Sequence, residues 1–130
     1  MLKNPAIPAI LLLFAMAMLC YGGTLSSGFI WDDEYLVVQN PLLRAPLYSF
    51  SMFKQDIINS GFSTTIYYRP MQVLTYALDH RLWGMAPAGF HFSNILFHFL
   101  CALLVFLLTR RLTADPAVGM LTAALFVCHP

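Results

Sequence analysis

The residues of this chain best suited to chemistry are two adjacent carboxylates, Asp32 and Asp33, between Trp31 and Glu34. Lys and Arg number 7 and Asp and Glu 6 among 130 residues, so a paired acid stands out. A carboxylate can take the proton of a hydroxyl as its oxygen attacks, because an alcohol is a weak nucleophile until that proton is accepted. It can also hold a divalent metal on oxygen ligands. Consecutive side chains point in different directions, so the pair could supply one function of each kind. A plainer role competes, since Asp commonly caps helix starts and turns. Glu34 reads as a solvated neighbour.

Arg69 stands between Tyr68 and Pro70. Its planar guanidinium can grip a phosphate through two parallel hydrogen bonds; the alternative is a side chain snorkelling to lipid headgroups. His91, Asn94 and His98 recur at i, i+3 and i+7 and share one helix face. His98, two turns further in than His91, suits an interhelical hydrogen bond better than chemistry. Two histidines seven apart make a poor metal pair, because ligands on adjacent turns stand four apart. His129 precedes Pro130, a pattern that also marks the end of a helix. The sequence has no nucleophilic-serine motif, phosphate-cradling glycine loop or Cys/His zinc spacing.

The surroundings of these residues are those of a membrane protein. The chain is 59% hydrophobic and 10% charged, against about a quarter charged in ordinary soluble domains. Net charge of +1 without a basic stripe argues against nucleic acid as a partner. Cys20, Cys101 and Cys128 all fall in apolar runs, which suggests thiols packed as small hydrophobes rather than a disulfide framework.

Residues 6–21 carry no charge and, extended to Leu25, make a helix of about 30 Å, enough to cross the hydrocarbon. A cleaved signal peptide is the rival, with Lys3 before the apolar run and Ala15-Met16-Ala17 as the cleavage site. Residues 90–109 form a second uncharged run closed by Arg110-Arg111. A third begins at Val118; its ~18 Å to His129 is short of a span, which suggests a truncated helix. Lys3 and Arg110-Arg111 place the N-terminus and the end of the second helix in the cytoplasm by the positive-inside rule.

The expected organisation is therefore a first transmembrane helix (1–25), an external loop on the periplasmic or lumenal side (26–89), a second transmembrane helix (90–109), a cytoplasmic loop (110–117) and a truncated third helix (118–130). Asn40-Pro41 and Ala45-Pro46 mark turns in the loop. Residues 47–59 and 70–82 read as short helices, the second opened by Pro70 and followed by Gly84. Met71, Leu74, Leu78 and Leu82 give the second an apolar stripe. With Trp83, Tyr67 and Tyr68 suited to the headgroup layer, both helices are expected to lie on the membrane. A lumenal subdomain packed on itself is the alternative. The fold class is all-α, multi-pass transmembrane, with interfacial helices in the first external loop.

The string Phe29-Ile30-Trp31-Asp32-Asp33, Tyr68-Arg69-Pro70, Leu82-Trp83-Gly84, Phe90-His91-Phe92-Ser93-Asn94-Ile95-Leu96-Phe97-His98 and 124–130 resembles the N-terminal part of type-C membrane glycosyltransferases. The nearest branch is the tetratricopeptide-repeat transmembrane O-mannosyltransferases and their bacterial relatives. The resemblance implies that Asp32 or Asp33 is catalytic, acting on the acceptor hydroxyl. It implies a polyprenyl- or dolichyl-phosphate sugar donor, often mannose, and an inverting transfer to a polypeptide or glycan acceptor at the bilayer. Arg69 and His91 become candidates for the donor phosphate, and a divalent metal is an open option. The expected location is a bacterial inner membrane or the endoplasmic reticulum. The chain would be an N-terminal fragment, inactive by itself. The rival functions are a non-catalytic multi-pass membrane protein, which would tolerate Asn at positions 32 and 33, and a transporter piece, for which only His98 offers an ionisable group within a span.

Overall fold

In the computed structural model, which describes residues 6–44 and 69–129, every regular element is helical. Helix α1 (Ala6–Tyr21) has Pro8 in its first turn, where a missing backbone N–H costs nothing. It runs into a 3-10 turn, Gly22–Ser26. There Thr24 Oγ1 donates to the Tyr21 carbonyl at 2.8 Å and Ser26 Oγ to the Gly23 carbonyl at 2.9 Å, covering acceptors that a helix end leaves open. Helix α2 is Pro70–Trp83, α3 Pro87–Thr113 and α4 Pro116–Cys128.

Residues Ile7–Ser26 and α3 are long and apolar enough to cross a membrane, by length and composition. Only 17% and 22% of their most apolar windows are buried, whereas the core helix of a soluble protein would be mostly buried. Helix α4, at 13 residues, reaches ~20 Å and is too short to span. Helix α3 runs past residues 90–109 at both ends. Pro87 pre-sets its first turn, and Arg110 and Arg111 lie in its last, where cations suit the dipole. The segment read as a loop at 110–117 thus narrows to Ala114 and Asp115. Ala114 turns the chain at φ 57°, and Asp115 Oδ1 caps α4 by accepting from Ala117 N–H at 2.7 Å.

The chain forms two compact units. In one, comprising residues up to Ser26 and from His91 onward, α1, α3 and α4 enclose Leu13, Ala17, Phe99, Ala102, Phe106, Ala123 and Val127. Alanines at the contacts let apolar helices approach closely, and Phe14 meets Phe99 edge-on with centroids 5.4 Å apart. A Cβ at Gly119 would lie 3.1 Å from the Phe106 carbonyl oxygen and 3.1 Å from Arg110 Cβ, so α3 and α4 touch there. The outer faces of this unit are themselves apolar: Leu11, Leu19, Leu104, Leu108, Leu121 and Leu125 are exposed.

The other unit, Ser27–Phe90, packs Val37, Leu42, Leu43, Val73, Ala77 and Phe90 together. Phe29 sits edge-on to Phe90, centroids 5.4 Å apart. Helix α2 starts at Pro70 and ends before Gly84 at φ 64°, as the capping residues predict. Its buried face is distinct from most of the apolar stripe. Val73 and Ala77 face inward, against the 3-10 turn Pro41–Arg44, while Met71, Leu78 and Leu82 are exposed. Shape decides this: the small Ala77 admits the turn that carries Leu42 and Leu43. Lys3, the turn expected at Ala45-Pro46, the helix expected at 47–59, and Tyr67-Tyr68 lie outside the described residues.

Gly89, in the first turn of α3, has no room for a side chain. A Cβ there would overlap Cβ and Cγ of Trp83, the root of that side chain rather than a movable tip. Gly89→Ala is expected to lower stability by ~1–3 kcal/mol through overpacking, against which Ala's helix propensity offsets at most ~1 kcal/mol. A lower unfolding temperature of the detergent-solubilised protein checks this; an unchanged one would mean that Trp83 gives way.

Candidate functional site

The acid pair stands on a tight turn. Asp33 N–H donates to the Ile30 carbonyl at 3.1 Å, and Ile30 N–H donates back to Asp33 Oδ2 at 3.0 Å. This reciprocal clasp holds Trp31 at φ 52°, a left-handed conformation that costs a bulky residue ~1–3 kcal/mol and persists only where neighbours enforce it. Trp31 is 88% exposed, so burial of its ring does not explain the strain. The two carboxylates are therefore unlike. Asp33 is half-buried and engaged in the turn. Asp32 is exposed, and among the described residues nothing bonds its carboxylate. The turn-capping role that competed for the pair falls to Asp33.

A π-helical turn, Glu34–Val38, follows directly. Its wide ring closes through Gln39 N–H to the Glu34 carbonyl at 2.9 Å, with Gln39 Nε2 donating to Glu34 Oε1 at 2.9 Å. Such turns are rare and recur at functional sites. Glu34, read as merely solvated, is thus a partner of Gln39. Asn40 braces the turn from inside: 4% exposed, it donates from Nδ2 to the Leu36 carbonyl at 3.1 Å and accepts from Leu42 N–H at 3.0 Å.

Arg69 is exposed at the cap of α2, its carbonyl accepting from Val73 N–H at 3.2 Å. Asp32, Asp33 and Arg69 belong to the same compact unit; His91 is the first residue of the other and is half-buried on α3. His98 has a structural role, as its depth predicts. Its Nε2 lies 3.1 Å from the Val127 carbonyl, and its ring stacks on Phe126 and meets Tyr21 edge-on. His129 closes α4 with extended backbone, the conformation favoured before proline. Among the described residues no three His, Cys, Asp or Glu side chains gather as a metal-holding group. Asp32 and Asp33 alone, with Asp33 already engaged by Ile30, supply fewer oxygen ligands than a divalent cation takes.

Sequence reasoning missed Asp79, a carboxylate only 6% exposed in α2. Its neighbours His80 and Arg81 give α2 a charged end, so the sequence offers no clear signal that this acid is buried. It also missed Gln72, whose Nε2 donates to Tyr76 Oη at 3.0 Å while its Oε1 is buried without a partner among the described residues. The cysteines depart from the packed thiols expected: all three are exposed.

The helices and the acidic turn define a class: an all-helical membrane protein with carboxylates on a turn that closely follows a span-length apolar helix. Comparison with known proteins narrows it. The chain is 36% identical over 125 residues to human protein O-mannosyl-transferase TMTC1, covering 92% of the chain and 14% of that protein. It is 30% identical over 121 residues to Drosophila melanogaster protein O-mannosyl-transferase Tmtc1, covering 89% and 14%. It is 30% identical over 143 residues to human protein O-mannosyl-transferase TMTC4, covering 97% and 19%. No family model matches the chain, and no solved structure matches it. The chain belongs to the tetratricopeptide-repeat transmembrane O-mannosyltransferase family that these relatives represent. It spans under a fifth of the length of each of the three.

Proposed function

We propose that this chain is the acceptor-activating part of a multi-pass membrane glycosyltransferase that moves mannose from a polyprenyl- or dolichyl-phosphate donor to a hydroxyl of a polypeptide. The observation that carries the reading is the exposed, unengaged Asp32 on a strained, clasped turn, in a chain whose relatives are named protein O-mannosyl-transferases. Asp32 accepts the proton of the acceptor hydroxyl as its oxygen attacks the anomeric carbon. The bond from that carbon to the lipid phosphate breaks, and configuration inverts. Asp33 holds the turn, and Arg69 takes up charge developing on the leaving phosphate. His91 is a second candidate for that phosphate.

The bilayer fits this division of labour. The lipid tail of the donor stays in hydrocarbon while a polar acceptor arrives from the periplasm or lumen, where residues 26–89 lie with the N-terminus of α1 in the cytoplasm. Helix α2 is an interfacial helix: its inward face is filled by Val73 and Ala77, which leaves Met71, Leu78, Leu82 and Trp83 exposed toward lipid. The full-length protein, reconstituted in liposomes with polyprenyl-phosphate mannose and a Ser/Thr peptide, is expected to yield mannosyl peptide of anomeric configuration opposite to the donor's. Retained configuration would overturn the single displacement, and transfer from a nucleotide sugar alone would overturn the lipid donor.

A further inference from the structure

The last turn of α1 and the end of α4 are fastened together around two thiols. Cys20 Sγ lies 3.8 Å from Cys128 Sγ, across 108 positions of sequence. Beside them Tyr21 Oη donates to the His129 carbonyl at 2.9 Å, and His98 Nε2 contacts the Val127 carbonyl at 3.1 Å. The His98 ring lies between the edge of Tyr21 and the face of Phe126, with centroids 5.2 Å away on each side. Residues flanking both cysteines are thus held in register by polar contacts that the thiols do not supply. Both cysteines are free and exposed; Cys20 stands one residue before the end of α1, within the apolar stretch Ile7–Ser26, and Cys128 is the last residue of α4. An S–S bond is ~2.05 Å long, so the sulfurs need to close by ~1.8 Å.

We infer that Cys20 and Cys128 form a disulfide that ties the first helix of the unit to α4 at its outer end. The bond forms by thiol–disulfide exchange with a dithiol/disulfide oxidoreductase of the periplasm or lumen. The thiolate of one cysteine attacks the oxidant's disulfide and displaces one of its sulfurs as thiolate, giving a mixed disulfide. The second cysteine, as thiolate, attacks the protein sulfur of that bond and expels the oxidant's other sulfur. Two protons and two electrons leave the pair, and the oxidant is reduced to its dithiol. Cys101, on α3, has no thiol partner among the described residues and stays reduced. The inference rests on the orientation proposed above, which puts both helix ends on the oxidising side.

Thiol trapping tests it. Membranes carrying the protein are treated with N-ethylmaleimide without reductant, and Cys-containing peptides are read by mass spectrometry. The expected result is loss of alkylation at Cys20 and Cys128 together, with Cys101 alkylated, and return of both after reduction. Free alkylation of both, while a membrane-impermeant maleimide also reaches them from outside, would overturn the disulfide and leave the orientation standing. If the impermeant reagent reaches them only from the cytoplasmic side, the orientation is wrong, and with it formation of the bond by this oxidant. Copper–phenanthroline then tests the pairing itself on either side of the membrane. It is expected to link Cys20 to Cys128 and to fail in C20S and C128S, and failure to link the unsubstituted protein would overturn the pairing.

Discussion

Replacing Asp32 by Asn in the full-length protein is expected to lower mannosyl transfer by about 10²–10⁴-fold, the range contributed by a positioned general base. The amide keeps the shape of the side chain and cannot take the proton. Because Asp32 is exposed and its carboxylate bonds nothing among the described residues, D32N should fold and resist heat as the unsubstituted protein does. Asp33→Asn separates the two acids. An amide oxygen can still accept from Ile30 N–H, but more weakly than the charged carboxylate that now does so at 3.0 Å. D33N should therefore lose some hold on the turn that keeps Trp31 at positive φ, with a smaller fall in transfer and a fall in stability. Transfer assays and thermal unfolding on both variants read the two effects separately. Full transfer by both would remove the acid pair from catalysis and favour a non-catalytic membrane protein.

Arg69→Ala is expected to cost about 10²–10³-fold in kcat, the size of loss seen when one preorganised donor to a developing negative charge is removed. A partner for the leaving phosphate is needed more in the transition state than in the bound donor, so kcat should fall further than KM rises. Arg69→Lys keeps the charge and loses the planar fork, and should recover only part of the rate. His91→Gln belongs in the same assay, where a smaller loss of the same kind is expected. If Arg69 only snorkels to headgroups, both Arg69 variants will transfer sugar normally and differ only in membrane association.

Much of this was legible in the residues because the physics is local. Pro70 and Gly84 bracket α2 since proline pre-sets a first helical turn and glycine tolerates φ 64°. His98 was readable as an interhelical contact from its depth along an uncharged run, and it meets the Val127 carbonyl. What could not be read depends on partners distant in sequence. Which face of α2 is buried was decided by Leu42 and Leu43, some thirty positions away, so Val73 and Ala77 turned inward and Met71, Leu78 and Leu82 were left exposed. The segment read as a loop at 110–117 is mostly helix for a local reason: α3 continues through Arg110 and Arg111 to Thr113, and Asp115 caps α4.

The amino-acid sequence by itself determined the membrane class, the two span-length runs, the acidic pair and the family, since length, apolarity and motif order are properties of the chain read in a line. Tertiary structure alone decided that Asp33 clasps Ile30 while Asp32 is left open, that Asp79 is buried, and that Cys20 comes within 3.8 Å of Cys128. Adjacent carboxylates are equivalent until the backbone bends around one of them, and two thiols 108 residues apart meet only when the helices that carry them pack side by side.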